Sequence, residues 1–166
     1  MDLRIGHGYD VHKFADQAQA GIELVLGGVR IAHDRPLIAH SDGDVIVHAL
    51  CDAILGALGK GDIGSHFPDN DPRFDNIDSC LLLGQVMEIA RASGWVLVNA
   101  DLTVVAQAPR LAPYVDAMRK RLADLLGLQT ACVNIKATTT EGLGFAGRRE
   151  GLACHAVVLA ERTARS

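Results

Sequence analysis

Aromatic residues are scarce in this chain. It has one Trp, two Tyr and four Phe among 166 residues, so a core must be built from Val, Leu, Ile and Ala. Runs of basic residues are missing too, and the formal net charge is −4. That argues against nucleic acid and anionic membranes as partners. A phosphate ligand would need local cations to overcome the bulk charge. No window of about 18 uninterrupted apolar residues occurs, so no membrane span is expected. The opening "MDLRIGHGYD" lacks the charged head and apolar stretch of a signal peptide. A cytoplasmic protein is the expectation. The four cysteines, Cys51, Cys80, Cys132 and Cys154, form no CxxC and sit in apolar surroundings. They read as reduced, buried thiols rather than zinc ligands. Repeats, low-complexity tracts and linkers are absent as well, and 1–166 reads as a single domain. A chain this long buries roughly 70% of its unfolded surface, enough for a core without staples.

What is present is a regular alternation of elements. Leu3 to Phe14 and Glu23 to Leu26 read as strands, the second ending at Gly27-Gly28. Asp44 to Leu58 reads as a helix, with Ser41 and Asp42 as capping candidates. "GKGDIGSHFPDNDPRFDN" is rich in Gly, Pro and Asp and reads as a long loop, usually functional or mobile. Ser79 to Ser93 reads as a helix stopped by Gly94. Trp95 to Ala106 alternates, with Val96, Val98, Ala100, Leu102 and Val104 on one face and Asn99, Asp101 and Thr103 on the other. Tyr114 to Leu126 has the apolar spacing of an amphipathic helix. Val133 to Ala137 reads as a strand. Leu152 to Ala160 is apolar on both faces and should lie centrally in a sheet. The order predicts an α+β fold: a mixed β-sheet with helices packed on one face, a two-layer α/β sandwich. The polar face of the 95–106 strand then needs water or another subunit to cover it.

Two short stretches carry the chemistry. "DVIVHALCDAILGAL" is apolar nearly all round, except at Asp44, His48, Asp52 and Gly56. Residues four apart share a helix face, so these form one polar stripe on a buried helix. Buried Asp needs a partner or a metal. In "RIGHGYDVHKF", residues two apart share a strand face. Asp10 and His12 therefore point one way, with Gly6 and Gly8 leaving open space beside them. His7 points the other way and reads as packed. Asp10 and His12 with His48 would make an N,N,O set, and three ligands with an open position mark a catalytic metal site. Imidazoles favour zinc, and the carboxylate keeps manganese or iron open. Ordinary core packing of the same residues is the alternative. Asp52 reads as a support that orients His40 or His48. His33, His66 and His155 read as surface or core histidines.

Longer motifs bear a resemblance. "GHGYDVHKF", "AHSDGDVIVHALCDAILGALGKGDIGSHFPD", "AQAP" and "ATTTEGLGFAGRREG" together resemble the 2-C-methyl-D-erythritol 2,4-cyclodiphosphate synthase family. The likeness runs from Arg4 to about Leu159. It implies a homotrimer with active sites between subunits. It also implies cyclisation of 4-diphosphocytidyl-2-C-methyl-D-erythritol 2-phosphate with release of CMP, a step of non-mevalonate isoprenoid synthesis. By position, Asp10, His12 and His48 match the ligands of a divalent cation, zinc first and manganese second. Asp10, Val11 and His12, with His40 and Ser41, match residues that meet the substrate. Asp62, Ile63 and Gly64 match the segment for the methylerythritol part, followed by Phe67, Pro68, Asp69, Asn70 and Asp71. Asn70 stands where Thr is more usual. Ala106, Gln107, Ala108, Pro109, Arg110, Leu111 and Ala112 match the cytidine segment. Thr138, Thr139, Thr140 and Glu141 match a second phosphate segment, with Glu141 as ligand of a second cation, magnesium or manganese. His40 and Thr139 match transition-state stabilisers. Phe145 and Arg148 match further substrate contacts, near a central cavity that can hold an isoprenoid diphosphate. A water-using phosphohydrolase and an inactive nucleotide-binding trimer are the alternatives.

Overall fold

A computed structural model describes residues 2–68 and 71–163. The first strand, β1, spans Leu3–Lys13. The hairpin β2 (Ile22–Leu26) and β3 (Val29–His33) follows, joined by Gly27 and Gly28, both with positive φ. Two left-handed residues are what a tight hairpin turn requires. Then come α1 (Val45–Leu58), the one-turn α2 (Ile63–His66) and α3 (Ser79–Ala92). The chain finishes with β4 (Trp95–Val105), α4 (Val115–Leu126), β5 (Val133–Thr138), the short α5 (Gly144–Gly147) and β6 (Gly151–Arg162). The main sheet has the order β1-β6-β4-β5, antiparallel except for the parallel β4–β5 pair. β3 and α2 fall where sequence reading expects loop.

Helix α1 lies against β1 and β6, and the core sits between this helical layer and the sheet. The strand takes the helix closely because of two glycines. A Cβ on Gly6 would lie 1.8 Å from the Ala53 carbonyl oxygen, and one on Gly8 1.9 Å from that of Ala49. Neither contact is possible, so only glycine lets the helix backbone settle onto this strand. The expectation that Gly6 and Gly8 leave open space is thus corrected: the helix fills it. On α1, only His48, Asp52 and Gly56 are not fully buried, so the stripe is real from its second member onward.

Asp44, the stripe's first member, does something else. It is fully buried and caps α1, accepting from the N–H groups of Ile46 and Val47 and also from those of Gly27 and Gly28. It thereby pins the hairpin turn to the helix start. Burial pushes its carboxyl up to about 6, while the four backbone donors and the helix N-terminus oppose that rise. Asp44, rather than Ser41 or Asp42, is the cap.

Strand β4 also departs from simple alternation. A register shift between Leu97 and Asn99 reverses its phase. Trp95 and Leu97 face the core before it, and Ala100, Leu102 and Val104 face the core after it. Val96 is exposed instead of buried. Beyond the bulge Asp101 faces outward as expected, against Asn134 and Lys136 of β5. Strand β6 is central as expected, yet His155 and Val157 leave its outer face exposed. No helix of the described residues is long and apolar enough to cross a membrane.

Candidate metal centre and its cleft

The glycine contacts set the position of the site. With α1 seated on β1, the first free turn of its polar stripe, His48, arrives beside Asp10 and His12. Asp10 Oδ2 lies 3.0 Å from His12 Nε2 and 3.1 Å from His48 Nδ1. The two ring nitrogens are themselves 3.1 Å apart. These are the spacings of ligands gathered on one face of a small cation. Asp10, His12 and His48 are the one such group of three His, Cys, Asp or Glu among the described residues.

The donors are oriented as ligands. His12 Nδ1 sits 3.3 Å from the Ile38 carbonyl, which only accepts. That side of the ring carries the proton, and Nε2 turns its lone pair inward. Burial works against the charge on Asp10, but hydrogen bonds and charge from His12 and His48 win and hold the carboxyl well below the usual range. The reverse holds for His12, where Asp10 overcomes burial and raises the imidazole above its ordinary value. A carboxylate and two imidazoles brought together and partly buried fit a divalent cation in place of a proton.

Around this cluster opens a cleft of about 310 Å³. His40 and Ser41 line one side, and Ile63, Gly64 and Phe67 another. Asp62 caps α2 through the Ser65 N–H, and Asp71 grips Arg73. The start of α2 is anchored by Asp52, whose carboxylate accepts from the Ile63 N–H at 2.7 Å. Asp52 therefore holds the cleft wall and does not orient His40 or His48. Burial raises its carboxyl, and the Ile63 donor opposes that. Pro68 is exposed on this loop, and Asp69 and Asn70 lie outside the described residues. One residue that spacing missed, Ser79, touches His48. Its Nε2 is 2.8 Å from the Ser79 hydroxyl, and Ser79 is in turn bonded to Asp42.

The remaining candidates are elsewhere. Val11 points to the opposite face and lines a shallow second hollow with Phe145 and Glu150. Arg148 pairs with Glu150. Thr138 ends β5 and Thr139, Thr140 and Glu141 follow it, where the Thr139 hydroxyl donates to Glu141 at 3.0 Å. Glu141 has a positive φ, an uncommon and strained state for this residue type. Ala106 begins the segment through Gln107, Ala108, Pro109, Arg110, Leu111 and Ala112. Its N–H donates to the Thr138 carbonyl, so the two segments are neighbours. The side-chain oxygen of Gln107 is buried without a partner. His7, expected to be packed, is exposed, 3.1 Å from His155.

An Asp-His-His cluster able to hold a metal ion, set on a strand and a buried helix and opening into a cleft, defines an α+β protein with a candidate metal centre. Residues 3–161 match the family model described as the YgbB family. The chain belongs to that family. It is 58% identical over 160 residues to the 2-C-methyl-D-erythritol 2,4-cyclodiphosphate synthase of Thioalkalivibrio sulfidiphilus, covering 96% of this chain and 98% of that one. Its fold is similar to the CDP complex of IspF from Plasmodium falciparum, with a TM-score of 0.84 at 33% identity over 97% of both chains. It is likewise similar to the bifunctional IspDF of Campylobacter jejuni, with a TM-score of 0.90 and 45% identity. There it covers 97% of this chain but 42% of the longer one.

Proposed function

We infer that this chain converts 4-diphosphocytidyl-2-C-methyl-D-erythritol 2-phosphate to 2-C-methyl-D-erythritol 2,4-cyclodiphosphate, releasing CMP, as a step in isoprenoid precursor synthesis. The observation that carries the reading is the Asp10–His12–His48 cluster opening into a cleft, on a chain so like the curated synthases over its whole matched length. An oxygen of the substrate's 2-phosphate attacks the β-phosphorus. The bond from that phosphorus to the bridging oxygen breaks, and CMP leaves with its electron pair. The nucleophile is already anionic, so no Ser, Cys or strong base is needed. Catalysis then rests on placement and charge neutralisation.

Asp10, His12 and His48 would hold one divalent cation, zinc before manganese, and Glu141 a second, magnesium or manganese. Cations held by these residues would supply charge neutralisation at the phosphates. His40 and Ser41 donate to phosphate oxygens at the cleft mouth, and Thr139 donates from the 138–141 segment as charge develops. Ile63, Gly64 and Phe67 receive the methylerythritol part, with Asp62, Pro68, Asp69, Asn70 and Asp71 around them. The 106–112 segment receives cytidine. Val11, Phe145 and Arg148 complete the contacts.

The working unit is a homotrimer whose active sites lie between subunits, and the exposed face of the sheet supports this. Leu3 (45%), Ile5 (74%), Tyr9 (44%), Val11 (45%) and Val157 (42%) are exposed together there, more apolar surface than a lone soluble chain usually shows. Register supports it as well. Val11, Ala153, Val105 and Thr138 form one row across β1, β6, β4 and β5. Three strand spacings put Thr138 about 14 Å from the metal-cluster strand, which favours a neighbouring subunit bringing the two halves together. A central cavity near Phe145 and Arg148 would admit an isoprenoid diphosphate. The expected location is cytoplasmic.

The test is incubation with the diphosphocytidyl substrate and magnesium, following CMP by chromatography and the second product by phosphorus NMR. CMP with a cyclic diphosphate is expected. Free phosphate in its place would make the protein a phosphohydrolase, and no turnover would make it a binding protein.

A further inference from the structure

We propose that Ser79 and Asp42 position His48, keeping its ring proton on Nε2 so that Nδ1 offers its lone pair to the metal centre. The proposal rests on the reading of Asp10, His12 and His48 as metal ligands. An imidazole binds a metal through one nitrogen while the other keeps its proton, and the group facing that second nitrogen decides which is which. Here Nδ1 faces Asp10 and His12, and Nε2 faces two hydroxyls, Ser79 at 2.8 Å and Ser41 at 3.2 Å. A hydroxyl can donate or accept, so the distances alone do not settle the matter.

Asp42 settles it for Ser79. One carboxylate oxygen of Asp42 receives the Ser79 hydroxyl and the Asp44 N–H, and the other receives the Ser79 N–H. A carboxylate accepts only. The hydroxyl proton of Ser79 is therefore committed to Asp42, and the serine has only lone pairs left for His48. Nε2 must be the donor. Ser79 is fully buried at the first position of α3, and Asp42 is bonded to the turn that starts α1. The start of α3 and the turn that leads into α1 are thus locked together beside one ring. The longer contact to Ser41, whose Oγ also accepts from the Gly43 N–H, provides a weaker second acceptor.

The experiment uses the full chain, stripped of metal, with two readouts. The first is zinc affinity by competition with a chromophoric chelator. The second is the nitrogen-15 shifts of the His48 ring in the metal-free protein. Ser79→Ala and Asp42→Asn should each weaken zinc binding about 10–100-fold. The Asn amide can donate to Ser79 and turn its hydroxyl toward His48, so Asp42→Asn should also move the ring proton toward Nδ1. Ser79→Thr keeps the hydroxyl and should restore near-normal affinity. If Ser79→Ala does not fold, Asp42→Asn and the wild-type ring shifts still decide. Wild-type zinc affinity in both variants, or a wild-type ring protonated on Nδ1, would overturn the proposal. A wild-type chain that takes up no zinc would overturn the metal reading beneath it.

Discussion

The two ends of the proposed site are built in opposite ways. The Asp10–His12–His48 end is partly buried, held by helix packing and tied by hydrogen bonds on every side. The Thr138–Glu141 end is largely exposed, bonded mainly within itself and strained at Glu141. A centre that must keep three ligand atoms in place is fixed by the core. The loop proposed to contact phosphate, and to meet substrate beside a neighbouring subunit, stands outside it. Changes at the first end should therefore disturb fold or metal together with activity, and changes at the second should disturb activity alone.

The largest effect is expected from Gly8→Val. A side chain there meets the Ala49 carbonyl and forces α1 off the sheet. Loss of about 3 kcal/mol or more is expected, read as failure to fold in circular dichroism. Next comes His48→Ala, which should cut CMP release roughly 10³-fold or more and abolish tight zinc uptake. Thr139→Ala should cost about 10²-fold in kcat. Its unfolding free energy in urea should match wild type to within about 0.5 kcal/mol, since the residue is exposed. A Thr139→Ala protein that unfolds would break the contrast. The smallest effect separates the ends by metal. Zinc at a hundredfold excess over its Kd should stabilise the chain by about 2.7 kcal/mol. That gain, read as Tm with and without chelator, should vanish in His48→Ala and survive in Glu141→Ala.

Much of the first end was legible in sequence. Strand period two separated Asp10 and His12 from His7, and helix period four found His48 on an otherwise buried helix. The same patterns misread the neighbours for physical reasons. Gly6 and Gly8 looked like space because a sequence does not say that a helix backbone will press against them. Asp44 sat on the stripe by spacing, but the first turn of a helix offers free N–H groups, and capping won. The bulge near Val98 reversed the strand phase with no glycine or proline to announce it. The hairpin to β3 is signalled by Gly27-Gly28 followed by the alternating Val29–His33. Ser79 and Asp42 were hidden, because their meeting with His48 depends on how α1 and α3 pack. The second end was legible only through resemblance. Thr138 to Glu141 carry no pattern that separates them from ordinary strand-end residues.

That the two ends function only across a subunit boundary can be tested by mixing two inactive proteins. His48→Ala spoils one end and Glu141→Ala the other. Co-expressed with distinct tags and purified as mixed trimers, they should regain about a third of wild-type CMP release, because one boundary in three of every mixed trimer joins two intact halves. If mixed trimers form and remain as inactive as their parents, both ends act within one chain, and the account of a shared site is wrong.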